Sequence, residues 1–457
     1  MNSKEREFYK KNLTQVLHAT LNPYEPGVVR IHLVPAKYQP FKVNPSVVIL
    51  NGKDILPINL AWTILLAIFI KEVNKFEGKE VNEEELKNIV EITVSEAQKV
   101  YKVPGKEILK KDLNRILSAF IDIAEGKETK EKVGQLSIGK YSNKMKAPHR
   151  IDLMISSMKK NGHWNCNQKC LHCYAAGQVY ADKKELSTQE WKKIIDKCKK
   201  SYIPQLTFTG GEPTVREDLV ELIDYSKWFI TRLNTNGVLL TEDLCKKLYD
   251  ASLDSVQVTF YSANREEHNK LVGANNYDKT VEGIRNAINA GLPISINTPL
   301  CSVNKNYVET LKYLNSLGIK YVSCSGLIVT GNAIKEESKA TQLSEEELYK
   351  ILKDACKYAN ENLMEISFTS PGWISKKKLK ELRLDIPSCG ACLSNMAIAP
   401  DGEVVPCQSW LGKESGLGNM LTAKWNEIWN NPKCKKIRKY SAKSTRKMPI
   451  KRRRLLE

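Results

Sequence analysis

The sequence predicts an α/β protein: a partial (β/α)6 barrel with an N-terminal α+β accessory domain and a C-terminal extension that folds as a cysteine-containing hairpin. Three observations carry this expectation. From Arg150 onward, short apolar segments alternate with amphipathic helical ones, the pattern of a parallel sheet with crossover helices. The residues before it lack that alternation and begin β-rich before turning helical. Beyond the alternating region, Cys389 and Cys392 lead to an Asp401-Gly402 turn and then Cys407.

The accessory domain is expected over residues 1–148. Val28-Val-Arg-Ile-His-Leu-Val and Ser46-Val-Val-Ile-Leu read as strands, the second ending at the turn Asn51-Gly52. Apolar residues then recur at three- and four-residue steps over 59–73, 82–101 and 107–124, which predicts helices. The polar stretch 125–149 reads as a linker. The longest apolar run, 55–70, is broken by Pro57 and Asn59 and falls short of the roughly 20 residues needed to span a bilayer. It reads as a buried helix. The polar N-terminus has no apolar segment before a cleavage site, so a cytoplasmic location is expected.

A length of 457 residues exceeds one ordinary core and suggests two or three domains. With 42% apolar and 27% charged residues the chain is globular rather than disordered. The net charge of +19 is uneven, because residues 433–457 carry twelve Lys/Arg and one Glu, or +11. Such a balance can attract nucleic acid, anionic lipid or acidic proteins. A solvated Lys-rich surface explains it more simply, so neither nucleic acid nor membrane is an expected partner.

Strands are expected near 151–158, 205–209, 231–235, 255–261, 293–298 and 320–325, with helices near 188–201, 217–228, 242–251, 277–290 and 307–317 and another at 344–360. Six such units form a TIM-like barrel that does not fully close. Chemistry in such folds sits at the C-terminal ends of the strands. The expected boundaries are 149–340 for the barrel, 341–437 for the last barrel helix and the extension, and 438–457 for a basic tail.

Twelve cysteines without an export signal should be reduced, which points to metal ligands, catalytic thiols or core residues. Cys198, Cys245, Cys301, Cys324 and Cys356 are scattered and read as core. Cys166, Cys170 and Cys173 instead form C-x3-C-x2-C on the loop after the first barrel strand. Three thiolates there can ligate three irons of a cubane and leave the fourth without a protein ligand. A zinc site is the alternative, with His163 or His172 as its fourth ligand. Among the other histidines, His18, His32 and His149 read as ordinary surface or core residues.

The cysteine loop resembles that of the radical S-adenosylmethionine enzymes. The resemblance implies a [4Fe–4S] cluster on Cys166, Cys170 and Cys173, with His172 against the adenine of S-adenosylmethionine and Tyr174 beside it. Gly210-Gly211-Glu212 at the end of the second strand resembles the family's GGE segment, implying that Glu212 receives the methionyl ammonium. Asn234 and Asn236 at the third strand's end resemble the family's TNG segment near the ribose. Gln257 and Thr259 take fourth-strand positions where relatives often carry Ser and Asp. The stretch 261–280 is either a family segment of the peptide-modifying branch or a solvated loop.

Cys389, Cys392 and Cys407 flanking Asp401-Gly402 resemble the opening of a SPASM or twitch extension, which implies an auxiliary iron–sulfur cluster. A zinc site is the alternative. Full SPASM domains continue with further cysteines, whereas this chain offers only Cys434, in a helical stretch, so a second auxiliary cluster is not expected. The resemblance implies cleavage of S-adenosylmethionine to a 5′-deoxyadenosyl radical that takes hydrogen from a peptide or protein substrate. A flavodoxin- or ferredoxin-type donor would supply the electron. Residues 1–148 would then hold a leader peptide. A small molecule such as a porphyrin is the alternative substrate. The alternative of another class is a non-catalytic zinc- or cluster-bearing binding protein, in which Gly-Gly-Glu-Pro has no task. The sequence names no catalytic hydrogen donor.

Overall fold

The computed structural model describes residues 1–24, 27–36, 45–51, 54–76, 81–101, 104–124, 127–134, 136, 141 and 146–443. The chain divides into two units, one comprising Met1–His149, Cys198–Gln205 and Trp228–Ile230, the other Arg150–Lys197, Leu206–Lys227 and Thr231–Glu457.

The first unit holds an antiparallel meander of β1 (Leu17–Tyr24), β2 (Gly27–Val34), β3 (Ser46–Leu50) and β4 (Asp54–Ile58), paired in chain order. Its helices are Ser3–Asn12, Leu60–Val73, Glu83–Val100 and Lys106–Ala124. The side chains of Asn59 and Asn82 accept from the N–H groups of Trp62 and Glu85, which fixes two of the starts within a residue of expectation. The helix Leu60–Val73 is apolar around its circumference, and every residue from Thr63 to Ile70 is buried. No described helix is long and apolar enough to cross a membrane. Strands β1 and β4 and the first helix escaped the sequence reading. Both strands lie at sheet edges and contain a proline, Pro23 and Pro57, which an edge tolerates because it leaves amides unpaired. Within the expected linker 125–149, Tyr141 packs with Val47, Ile49 and Ile55, and His149 is also buried. His18 and His32 are core residues with rings 4.4 Å apart, and burial pushes His18 down to about 3. Gly52 and residues 444–457 of the basic tail lie outside the described residues.

The second unit is built on a nine-stranded sheet. Its strands are β5 (Arg150–Ser156), β8 (Gln205–Gly210), β9 (Ile230–Thr235), β10 (Ser255–Thr259), β11 (Ile294–Pro299), β12 (Tyr321–Ser325), β13 (Glu365–Phe368), β14 (Asn395–Ile398) and β15 (Val404–Val405). Their order is β13-β12-β11-β10-β9-β8-β5-β14-β15. A side hairpin joins β6 (Lys159–Lys160) to β7 (His163–Trp164), which leaves His163 exposed. The six expected strands are all present, and β13 adds a seventh beyond β12, paired parallel to it. Glu365-Ile-Ser-Phe is too short and polar to announce itself.

The extension joins the same sheet. β14 runs parallel beside β5, in register Asn395↔Arg150 to Ile398↔Leu153, and β15 returns antiparallel through Asp401-Gly402. Cys392 precedes this hairpin and Cys407 follows it. The hairpin covers an edge of the barrel sheet that would otherwise present unpaired backbone.

Candidate active site

Successive strand residues point to opposite faces, so the register decides what the barrel encloses. Leu233, Val256, Val258, Ile296 and Val322 are buried. Their neighbours Asn234, Gln257, Thr259, Asn297 and Ser323 line a cavity of about 1060 Å³. Barrel interiors are ordinarily filled by Val, Ile and Leu. A polar wall marks this interior as a place for a polar ligand.

The cysteine loop enters the cavity after β5, with Cys166, Cys170 and Cys173 all on its lining. The Lys169 and Leu171 amides donate to the carbonyls of Val272 and Leu271 at 3.0 and 2.9 Å. Those acceptors end the helix Arg265–Val272, so part of the 261–280 stretch is a scaffold for the thiols. From the other side, the Asn332 amide donates to the Cys173 carbonyl at 2.8 Å and its Nδ2 to the Cys170 carbonyl at 3.2 Å. Ser338 Oγ donates to the Leu171 carbonyl at 2.8 Å. A Cβ on Gly331 would lie 2.4 Å from the carbonyl oxygens of both Cys173 and Tyr174, and its φ is +60°. Only glycine fits there.

Burial raises all three thiols, Cys166 to about 12, and Cys170 is raised further by Cys173 and Cys166 beside it. Without a metal they hold their protons, and loading iron releases them. Among the described residues, no three His, Cys, Asp or Glu side chains close on a single ion. The thiols instead border a cavity, an arrangement that suits a multi-atom cluster better than one zinc ion.

Glu212 borders the same cavity and is 1% exposed. Its Oε1 accepts from Thr214 N, Thr214 Oγ1 and Thr235 Oγ1 at 3.1, 2.6 and 2.6 Å. Its Oε2 accepts from Asn236 N at 2.8 Å. Burial outweighs these donors and raises its pKa, so a cationic partner is what would favour the charged form. No described Lys or Arg forms an ion pair with it, and Oε2 retains acceptor capacity. A buried carboxylate with neutral donors and no cation is suited to an ammonium ligand. Gly210 and Gly211 act through the chain itself: a Cβ on Gly210 would meet the Ser156 carbonyl at 2.2 Å. That packing sets the end of β8 directly against the end of β5.

The remaining expected residues also reach the cavity, in different states. Asn234 Oδ1 has no hydrogen-bond partner among the described residues. Asn236 is committed: its Nδ2 donates to Asn167 Oδ1 at 2.5 Å and its Oδ1 accepts from Val238 N. It ties the cysteine loop to the Glu212 turn. His172 Nε2 bonds Thr341 Oγ1 at 2.7 Å, and burial lowers its pKa to about 4, so the ring is neutral. The Tyr174 hydroxyl bonds Thr209, and Gln257 Nε2 donates to Ser323 Oγ at 3.3 Å.

In the extension, Cys389 and Cys407 line the cavity, while Cys392 and Cys434 lie behind it, paired to each other. Arg438 donates to Cys434 Sγ at 3.1 Å and to the Cys392 carbonyl at 2.8 Å, and it stacks on Trp429. Cys407 acts electrostatically on Cys392, which raises the Cys392 thiol further. Cys389 accepts from Ser441 Oγ at 3.6 Å, a residue on the same helix, Pro432–Lys443, as Cys434.

A parallel partial barrel that gathers thiols and a buried carboxylate at its strand ends belongs to the cofactor-dependent enzymes. Residues 165–314 match the model of the Radical SAM superfamily, and residues 373–450 match SPASM, described as an iron–sulfur cluster-binding domain. The chain is a radical SAM enzyme with a SPASM domain, and its cofactors are S-adenosylmethionine and iron–sulfur clusters. It is 27% identical over 331 residues to an Fe-coproporphyrin III synthase of Methanosarcina barkeri, covering 66% of this chain and 81% of that one. It is 26% identical to a PqqA peptide cyclase of Granulibacter bethesdensis, covering 58% and 71%. Its fold matches Streptococcus suis SuiB bound to precursor peptide SuiA with TM-score 0.57 at 15% identity, covering 86% and 87%. The chain also spans about half the length of a probable GTP 3′,8-cyclase of Thermococcus kodakarensis, 48% at 34% identity.

Proposed function

We propose that the chain cleaves S-adenosylmethionine reductively and uses the product to take hydrogen from a ribosomally made peptide or protein. The observation that carries this reading is the convergence on one cavity of three partly buried thiols and the buried, cation-free Glu212 carboxylate. Cys166, Cys170 and Cys173 would hold the first cluster, and Cys389, Cys392, Cys407 and Cys434 the auxiliary one. When bound, the first cluster would supply the electron for reductive cleavage of the sulfonium.

The chain's own residues bind, orient and exclude water. Glu212 accepts the methionyl ammonium on Oε2, held in place by Thr214, Thr235 and the Asn236 amide. Asn234 Oδ1 is the free acceptor for a ribose hydroxyl. Neutral His172, fixed by Thr341, gives the adenine a flat neighbour. Gln257 and Thr259 complete the polar wall. Substrate contacts then fall to the deeper part of the cavity.

A peptide substrate is favoured by the match to a peptide cyclase together with the SPASM domain. The first unit would hold the leader segment. A flavodoxin or ferredoxin would deliver the electron in a reducing cytoplasm, where the thiols stay available to iron. The second reading, a porphyrin substrate, is favoured by the 81% coverage of the coproporphyrin enzyme. The test is to incubate the reduced, reconstituted enzyme and S-adenosylmethionine with the peptide encoded beside its gene, and separately with Fe-coproporphyrin III. A mass change in the peptide supports the first reading. An unchanged peptide with a converted porphyrin replaces it with the second.

A further inference from the structure

Below the residues assigned to the cofactor, the cavity wall carries a cation with no task in that scheme. Arg232 lies on β9 two positions before Asn234 and opposite Ser255 of β10, and it lines the same cavity. Two strand residues place it about 7 Å deeper than Asn234. Its Nη2 donates to Ser295 Oγ at a long 3.3 Å, and its Nε has no hydrogen-bond partner among the described residues. The fully buried Asp152 lies within ion-pair distance of Arg150 Nε, at 2.9 Å, and acts electrostatically on both Arg150 and Arg232. Two guanidiniums therefore share one acid, and burial together with Arg150 pushes Arg232 down to about 10. A half-buried guanidinium in such a surplus calls for an anion to complete it.

The available groups define that anion. Guanidinium presents parallel donors in a fixed fork that matches a carboxylate in bidentate fashion. Ser255, Ser295 and Gln257 stand around it on the same face of the sheet. We infer that Arg232 is a specificity-determining residue that receives a carboxylate carried by the substrate, placing the attached carbon chain toward the cofactor end of the barrel. This rests on the reading that the barrel holds the substrate of a radical reaction. An acidic peptide side chain and a porphyrin propionate are two sources of the same chemistry.

The test measures binding to the anaerobically reconstituted full-length enzyme, saturated with S-adenosylmethionine, by calorimetry. The probes are N-acetyl-L-glutamate methylamide, N-acetyl-L-glutamine methylamide and coproporphyrin III. Wild type should prefer the glutamate to the glutamine probe, or bind the porphyrin, and Arg232→Gln should weaken the acidic ligand by about tenfold or more. Arg232→Lys, which keeps the charge but loses the fork, should fall between them and serves if Arg232→Gln fails to load iron. Preference for the glutamate probe assigns the carboxylate to a peptide, and preference for the porphyrin assigns it to a propionate. Equal affinities of wild type and both variants, or no acidic ligand bound by wild type, overturn the assignment of Arg232. Wild type that releases no 5′-deoxyadenosine overturns the underlying reading instead.

Discussion

Cys173→Ala removes about four irons and four sulfides per chain and reduces release of 5′-deoxyadenosine to background, while the iron of the extension stays. The size of the effect follows from the geometry of the loop. Cys173 is one of the three thiols that the cysteine loop brings to the cavity, and the Asn332 amide holds its carbonyl, which fixes the backbone that carries its Sγ. No fourth cysteine stands on the loop to replace it. Iron and sulfide analysis beside chromatographic quantification of 5′-deoxyadenosine measures both parts. Full activity in the variant would remove Cys173 from the ligand set.

Glu212→Gln weakens S-adenosylmethionine by about thirtyfold or more, the equivalent of about 2 kcal/mol for losing a charged partner in a buried site. The amide keeps the shape but not the charge. It also turns an N–H toward Asn236 N or toward the two threonine hydroxyls, leaving one donor of the original set unpaired. A loss of about 1–3 kcal/mol in stability accompanies it. Equilibrium dialysis with labelled S-adenosylmethionine reads the first effect and chemical denaturation the second. An unchanged affinity with lowered stability would reduce Glu212 to a turn-capping residue.

The parts of this architecture that were legible in the sequence are those whose signal is local. The motif Cys166–Cys173, the Gly-Gly-Glu turn and the Asp401-Gly402 hairpin each occupy a few consecutive residues, and helix starts at Asn59 and Asn82 carry their own caps. What sequence reading missed depends on distance. Asn332, Ser338 and Gly331 hold the cysteine loop from about 160 residues away, and nothing in their surroundings marks them as partners. Asn236 is expected at the ligand from its neighbours, and its bond to Asn167, which ties the cysteine loop to the Glu212 turn, has no local signal. Strands β1, β4 and β13 escaped because prolines or short polar runs break the alternation that a half-buried strand ordinarily shows. Arg232 sits among apolar strand residues and reveals its role only once register puts it inside the barrel.

A cluster on Cys166, Cys170 and Cys173 would have three protein ligands for four irons, which would leave one iron open to the amino and carboxylate groups of S-adenosylmethionine. Electron–nuclear double resonance of the reduced enzyme with S-adenosylmethionine labelled with ¹⁵N at its methionyl amine tests this directly. A nitrogen hyperfine coupling that appears in wild type and is absent from Cys173→Ala is the predicted result. A reduced cluster signal in wild type that saturating labelled cofactor leaves without any such coupling would contradict it.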